Sequence, residues 1–174
     1  QLITNRLSLK PKIEDGFFVS SPENDMLKIV VVNRYKPTKP AIAFIRNFGI
    51  KAGALASSVA HDSHNIVAVG VDDESLTRAI NLVIDAKGGI SAVKNQEEKI
   101  IGLPVAGLMS LEDGYNVSKA YTEIDQFVKK QMGSTLQSPF MTLSFMALLV
   151  IPHIKLSDKG LFDGNNFRFL YEVN

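Results

Sequence analysis

Two apolar runs that flank a polar turn constrain the fold of this chain more than any other feature of its sequence. Residues 54–59 and 66–70 are short, apolar and rich in small or β-branched side chains, which is typical of buried strands. The connection between them holds His61 and His64, two of the three histidines in the chain. The sequence therefore predicts two buried strands joined by a turn that concentrates polar groups, and we expect any ligand or reaction centre there.

Small side chains lead up to this turn. Because they leave little bulk over the backbone, another group can approach the chain closely at these positions. We predict such an approach along the residues Ala54, Ala56, Ser57, Ser58 and Ala60.

Strand-like segments dominate the first half of the chain. Residues 27–33 and 41–46 are rich in β-branched side chains, and Pro37 and Pro40 between them favour a loop that joins antiparallel neighbours. Residues 1–26 are a weakly patterned lead-in. Its apolar side chains alternate with polar ones and allow an edge strand at Leu7, Leu9 and Ile13.

Helical periodicity appears in the second half. Residues 74–86 follow a cluster of acids and predict an amphipathic helix that ends at Gly88. A second helix is predicted after Ser110, which resembles the first residue of a capping box, and it ends at Gly133. Residues 140–149 fit either a strand or a buried helix, and Ser138-Pro139 in front of them favours a short helix. Further strands are predicted at residues 90–94, 99–103 and 167–171.

The order of these elements indicates the fold class. Strands come as a run, with helices later rather than one after every strand. This order favours an α+β fold with a largely antiparallel or mixed sheet and two or three packed helices. At 174 residues with 45% hydrophobic content, the chain suits one globular domain.

Composition argues against several classes of function. The net charge is +1 and the basic residues are scattered, without an aromatic-interleaved basic stripe, so no nucleic-acid partner is expected. The chain has no cysteine, which excludes disulfides and cysteine zinc sites and suits the cytoplasm, the location we expect. The longest apolar run, residues 140–151, is shorter than the ~20 residues of a membrane span, so no membrane partner is expected.

Two blocks of sequence carry a family resemblance. The first holds residues 49–51, Gly53-Ala54, and the run Ser-Ser-Val-Ala-His-Asp-Ser-His-Asn-Ile at 57–66; the second holds residues 139–145, 150–152 and 155–163. Together they resemble the C-terminal domain of adenine deaminases, metal-dependent purine deaminases of the amidohydrolase superfamily. The similarity extends from about Lys28 to Asp163, which is most of the chain.

The resemblance implies a division of labour with a part of the enzyme that is absent here. The family converts adenine and water to hypoxanthine and ammonia with a divalent metal (Mn, Fe or Zn), held by an early His-x-His motif and later residues of a (β/α)8 barrel. This sequence has no His-x-His, so we expect no catalytic residue and no cofactor in it. We interpret residues 1–26 as a lead-in that returns from the missing barrel and residues 27–174 as the C-terminal domain. The implied partners are adenine and the barrel of the same chain, and a homo-oligomer is left open.

The polar turn supplies the candidate site residues. His61 and His64 offer imidazole ligands for a metal, but their three-residue spacing on a turn is not an established zinc pattern. The alternative is that the polar groups only hydrogen-bond the local backbone. A serine nucleophile is disfavoured because no Gly-x-Ser-x-Gly elbow is present. We predict that the purine site is lined or closed by Ser57, Ser58, His61, Asp62, Ser63, His64 and Asn65.

Two hypotheses of different classes follow. In the first, the chain is the C-terminal portion of an adenine deaminase and is inactive alone. In the second, it is a free-standing, non-catalytic module for ligand binding or interaction. The reading frame upstream of Gln1 separates them, because only the first requires a barrel-sized frame that contains His-x-His.

Overall fold

The computed structural model describes residues 2–173, and within them the chain forms eleven strands and three α-helices. None of these helices has the length and apolar character that a membrane span requires. The strands are β1 (Lys12–Glu14), β2 (Phe17–Val19), β3 (Leu27–Val32), β4 (Ala41–Ile45), β5 (Ala54–Ser57), β6 (Ile66–Gly70), β7 (Gly89–Lys94), β8 (Glu97–Gly102), β9 (Ile154–Ser157), β10 (Gly160–Asp163) and β11 (Arg168–Glu172). The helices are α1 (Asp73–Asp85), α2 (Gly114–Gln126) and α3 (Pro139–Phe145), and α2 continues into a π-helical turn at Phe127–Gln131.

A six-stranded sheet in the order β4-β3-β6-β5-β7-β8 forms the centre of the molecule, and every neighbouring pair is antiparallel. Two smaller antiparallel sheets pair β1 with β2 and place β10 between β9 and β11. The predicted α+β fold with a largely antiparallel sheet is confirmed.

Both faces of the central sheet are covered at its inner strands β5 and β6. In β6, Ile66 and Ala68 face α1, whereas Val67 and Val69 face a larger core that includes side chains of α2, α3 and β9. Every residue of β5 and β6 is buried, which explains why their sequences are apolar without the alternation of a half-exposed strand. A fully buried valine stabilises the fold by about 1.5–3 kcal/mol relative to an exposed one.

Helix α1 uses the small residues ahead of the turn. Ala54 and Ala56 pack in one cluster with Leu76 and Ala79 of α1. At Gly70 an added Cβ would lie 2.9 Å from the Leu76 Cγ, so the helix lies directly over the strand backbone. On this face, the close approach predicted from the small side chains is therefore made by a helix of the same domain.

One local prediction is wrong, and a second holds only in part. Helix α2 begins at Gly114 because the Asp113 carboxylate itself caps it, accepting from the N–H groups of Tyr115 (2.9 Å) and Asn116 (3.2 Å), so Ser110 does not start a capping box. The edge strand allowed at Leu7, Leu9 and Ile13 forms only around Ile13, in β1 of the hairpin with β2, whereas Leu7 and Leu9 lie outside any strand. Asp15 and Gly16 both have positive φ (50° and 81°), which is the backbone of a tight hairpin turn.

One buried lysine holds the lead-in against the rest of the domain. Lys155 is 2% exposed, and its Nζ donates to the Leu2 carbonyl oxygen (2.9 Å) and to Thr4 Oγ1 (3.3 Å). No carboxylate forms a salt bridge with it in residues 2–173. Burial therefore lowers the pKa of the Lys155 ammonium from 10.5 to about 8.

This lowered pKa makes a testable prediction about stability. Between pH 8 and pH 10.5 the unfolded chain still binds the proton that folded Lys155 has lost, so this residue makes stability rise with pH across that window. Lys155→Met removes the titrating group. We expect the free energy of unfolding of the parent chain, measured with urea from about pH 6 to about pH 10, to rise relative to that of the variant only above about pH 8. A difference that stays constant over the whole range would contradict this.

Candidate functional site

The polar turn lies at one end of the central sheet, between its two most buried strands. It connects Ser57 at the end of β5 to Ile66 at the start of β6. The His64 N–H donates to the Ala60 carbonyl over 2.7 Å, and His64 adopts a left-handed φ of 52°. Because β5 and β6 are covered on both faces, the turn is held on a rigid support.

The turn presents its polar side chains in two ways. Asp62 and Ser63 are exposed, whereas His61 and His64 are half-buried, with ring centroids 6.1 Å apart in an edge-to-face arrangement. The His61 ring also lies 5.3 Å from that of Phe145. His64 Nδ1 is buried and has no hydrogen-bond partner within residues 2–173. An unpaired buried polar atom costs about 1–3 kcal/mol, so this nitrogen is suited to bond a group from outside those residues.

The antiparallel register brings three segments to this end of the sheet. Val32 pairs with Ile66, so the chain leaves β3 beside the point where it enters β6. Gly89 pairs with Gly102, so the loop after β8 begins at the same end. Residues 33–35, the turn at 58–65 and the loop at 104–109 are therefore neighbours, whereas the hairpin turn at residues 95–96 projects from the opposite end.

Arg34 joins the three segments. Its backbone N–H donates to Asn65 Oδ1 (3.1 Å), its Nε to the His64 carbonyl (2.9 Å) and its Nη2 to the Ala106 carbonyl (2.9 Å). The predicted site residue Asn65 is 3% exposed and is thus used to anchor the turn. The turn's conformation depends on this arginine as well as on its own residues.

Ser57 and Ser58 are engaged inside the domain. The Ser58 hydroxyl donates to the Gly107 carbonyl (2.6 Å) and accepts from the Gly89 N–H (2.8 Å). Ser57 Oγ accepts from the Val59 N–H (3.0 Å), and both serines are almost fully buried. These two hydroxyls fix β5 and the loop at 104–109, in the way that the backbone-bonding alternative describes.

A cleft with basic side chains lies at this end of the sheet. A cleft of about 470 Å³ between residues 32–37 and the end of α1 is lined by Arg34, Lys36 and Lys87 and by no acidic residue. None of the three cations forms a salt bridge with a carboxylate in the described part of the chain.

Exposed apolar side chains lie at the end of the loop at 104–109 and just after it. Met109 is 57% exposed, Leu111 79% and Tyr115 90%. Large apolar side chains that cluster at a surface commonly mark a contact with another domain or protein. The polar turn and the loop that carries these apolar side chains therefore meet at one end of the sheet.

The residues of the turn do not fit a metal centre. Within residues 2–173, no three side chains of histidine, aspartate and glutamate come together as a metal would require. His61 and His64 approach each other edge to face, but the turn brings no third ligand to them. We therefore derive no step of a reaction through a metal held by this chain.

The seven predicted residues thus lie in or beside one turn, but they differ in burial. Ser57, Ser58 and Asn65 point into the domain, whereas four side chains remain half-buried or exposed: His61, Asp62, Ser63 and His64. The sequence alone does not indicate Arg34 or the loop at 104–109 as parts of the site. Only the sheet topology places them there, since each follows a strand that ends beside the turn.

Comparison with known families gives one match of nearly full length. The family model described as "Adenine deaminase C-terminal domain" matches residues 1–168. The matched region contains the polar turn, Arg34 and the loop at 104–109.

Individual relatives agree with this match. An adenine deaminase of Sulfurovum sp. is 56% identical over 151 residues, covering 87% of this chain and 28% of the relative. Adenine deaminases of Salinibacter ruber and Methanosarcina acetivorans are 52% and 49% identical, each covering 98% of this chain and 31% of the relative. The chain therefore spans less than a third of the length of these relatives.

Proposed function

Because the chain belongs to the family of adenine deaminase C-terminal domains, we propose that it is the C-terminal portion of a hydrolase that converts adenine and water to hypoxanthine and ammonia. In this reaction, water adds to the ring carbon that carries the amino group, and ammonia leaves as that carbon–nitrogen bond breaks. We assign residues 1–26 to the connection from a preceding amidohydrolase barrel and residues 27–174 to the C-terminal domain. We propose that this enzyme acts in the cytoplasm.

The divalent metal of the whole enzyme, Mn, Fe or Zn, would lower the pKa of the attacking water. We assign that metal to the preceding barrel, since the turn does not supply a ligand set. The role left for this chain is to line or close the purine site. Neutral histidine has one ring donor and one ring acceptor, so His61 and His64 are suited to the mixed donors and acceptors of a purine edge.

One observation carries this assignment. The backbone of the turn is held by β5, by β6 and by Arg34. Two of its polar groups nevertheless form no hydrogen bond within residues 2–173, namely His64 Nδ1 and the exposed carboxylate of Asp62. A turn that served only to reverse the chain would not need them, because Asn-Gly or Asp-Gly suffices for that purpose. The exposed residues Met109, Leu111 and Tyr115 support the proposal by offering an apolar surface for the barrel at the same end of the sheet.

Two conservative substitutions in the full-length enzyme test the assignment. His64→Asn and Asp62→Asn are each expected to lower kcat/KM for adenine by at least ~10-fold, which is about 1.4 kcal/mol of transition-state stabilisation. Steady-state ammonia release measures the effect, and metal analysis together with thermal unfolding verifies that the barrel and the fold are intact.

Matched substitutions away from the turn serve as controls. His153 contacts Asn165 near the three-stranded sheet, and Glu97 is exposed at the end of the central sheet opposite the turn. His153→Asn and Glu97→Gln are expected to leave kcat/KM within about twofold of the parent enzyme. If His64→Asn and Asp62→Asn behaved like these controls, the turn would have a structural role only.

A further inference from the structure

A single arginine fastens the segments that form the candidate site. The Arg34 guanidinium donates from Nε to the His64 carbonyl and from Nη2 to the Ala106 carbonyl, both over 2.9 Å. An added Cβ at Gly107 would lie 2.4 Å from Nη1, so the guanidinium also rests directly on this loop residue. One side chain therefore spans the turn at 58–65 and the loop at 104–109.

Tyr35 completes the connection. The guanidinium carbon of Arg34 lies 4.9 Å from the centre of the Tyr35 ring, and the Tyr35 hydroxyl accepts from Arg34 Nη2 (3.2 Å). The same hydroxyl donates to the Ser63 carbonyl over 2.7 Å. Two successive carbonyls of the turn, those of Ser63 and His64, are thus held by two successive side chains after β3.

The carbonyls that Arg34 binds belong to residues in a costly conformation. His64 and Ala106 have φ of 52° and 57°, although neither is glycine. The left-handed region is unfavourable for a residue other than glycine and persists where the surroundings enforce it. By binding both carbonyls, Arg34 offsets this cost in the turn and in the loop at once.

The chemistry of the contact is specific to a guanidinium. Its planar donors reach two separate carbonyls in fixed directions, whereas a lysine ammonium is a compact charge on a flexible stem. Arg34 also forms no salt bridge with a carboxylate in the described residues, so its donors serve backbone carbonyls and the Tyr35 hydroxyl.

We propose that Arg34 is a positioning residue for deamination: it fixes the His61–Asn65 turn relative to the loop at 104–109 in the arrangement that lines the purine site. This inference rests on the proposed function, because it assumes that the turn faces the substrate. Arg34 acts through the turn, so its loss displaces His61, Asp62 and His64 while leaving them present. A displacement of about 1 Å in a positioned group can cost ~100-fold in rate.

The test compares two arginines that each bridge two elements. Arg78 of α1 donates to Glu98 of β8 (3.0 and 2.7 Å) and to the Asn95 carbonyl, at the end of the sheet opposite the turn. Arg34→Lys and Arg78→Lys are made in the full-length enzyme. We expect Arg34→Lys to lower kcat/KM by at least ~10-fold and Arg78→Lys to change it by less than about twofold.

Two further readouts separate positioning from general stability. Hydrogen exchange at the amides of His64 and Leu108, which donate to the Ala60 and Val105 carbonyls, is expected to accelerate in Arg34→Lys and not in Arg78→Lys. In Arg34→Ala, added guanidinium ion is expected to restore part of kcat/KM, and methylammonium at the same concentration is not.

Each outcome decides the proposal. Accelerated exchange with a lowered kcat/KM and rescue by guanidinium supports it. Unchanged exchange overturns it, because the arginine then fixes neither segment. Accelerated exchange in Arg34→Lys with unchanged kcat/KM also overturns it, and the His64→Asn variant then shows which premise failed. If His64→Asn has a normal kcat/KM, the turn does not face the substrate. If its kcat/KM is lowered, the site tolerates the loss of Arg34.

Discussion

Adenine incubated with the 174-residue chain and added Mn²⁺, Fe²⁺ or Zn²⁺ is expected to release no ammonia above the uncatalysed rate. Hydrolytic deamination requires a metal-activated water and a group that passes its proton to the leaving ammonia. The sequence has three histidines and no His-x-His motif, and no cluster of three metal-binding side chains forms within residues 2–173. The expected effect is therefore a complete loss of turnover relative to the full-length enzyme.

Two controls make this result interpretable. The full-length enzyme assayed in the same buffers shows that the metals and substrate are competent, and a cooperative thermal transition shows that the 174-residue chain is folded. Turnover that co-purifies with the chain and disappears in its His64→Asn variant would overturn the assignment of the metal centre to a preceding barrel.

Gly53→Ala is expected to destabilise the domain by about 3 kcal/mol or more, from left-handed backbone strain and overpacking together. Gly53 has φ of 85°, and an added Cβ would lie 1.9 Å from the Val93 carbonyl oxygen. That carbonyl belongs to β7. Val93 of β7 pairs with Ala54 of β5, the residue that directly follows Gly53. The clash cannot relax without separating two central strands, and urea denaturation measures the loss.

Two other glycines separate the causes of this effect. Gly16 has a similar φ of 81° but no atom within 4 Å of an added Cβ, so Gly16→Ala carries only the conformational cost of roughly 1–2 kcal/mol. Gly114 is the first residue of α2 and is open, so Gly114→Ala is expected to be neutral or to stabilise by up to about 1 kcal/mol. A Gly53→Ala variant with an unchanged midpoint and slope would mean that the contact between β5 and β7 is looser than the structure shows.

The main strands and helices could be predicted because their signals are local. The β-branched runs at 27–33 and 66–70 form strands. Ser138-Pro139 marks the start of a helix as expected, but this helix ends at Phe145 and does not extend over the predicted residues up to 149. The hairpin of the lead-in has a local signal at Asp15-Gly16, which the alternation of Leu7, Leu9 and Ile13 does not indicate.

The site could be predicted only in part, because half of its construction is not local. The polar turn is visible as a contiguous sequence, whereas Arg34 contacts His64 from 30 residues away and Ala106 from 72 residues away. No periodicity in the sequence indicates such a long-range contact. It follows from strand order, since β3 and β6 become neighbours only when the sheet is assembled. The same holds for Ser58, whose position directly after β5 does not predict its bond to Gly107.

The two ends of the central sheet offer an experimental opportunity. The turn at residues 95–96 is exposed and lies at the end opposite Arg34 and the polar turn. Since the chain has no cysteine, Gln96→Cys would supply the sole thiol of this domain, ready for a fluorophore or a surface tether. A label placed there reports on the approach of adenine or of a preceding barrel without occupying the end of the domain where that approach is proposed.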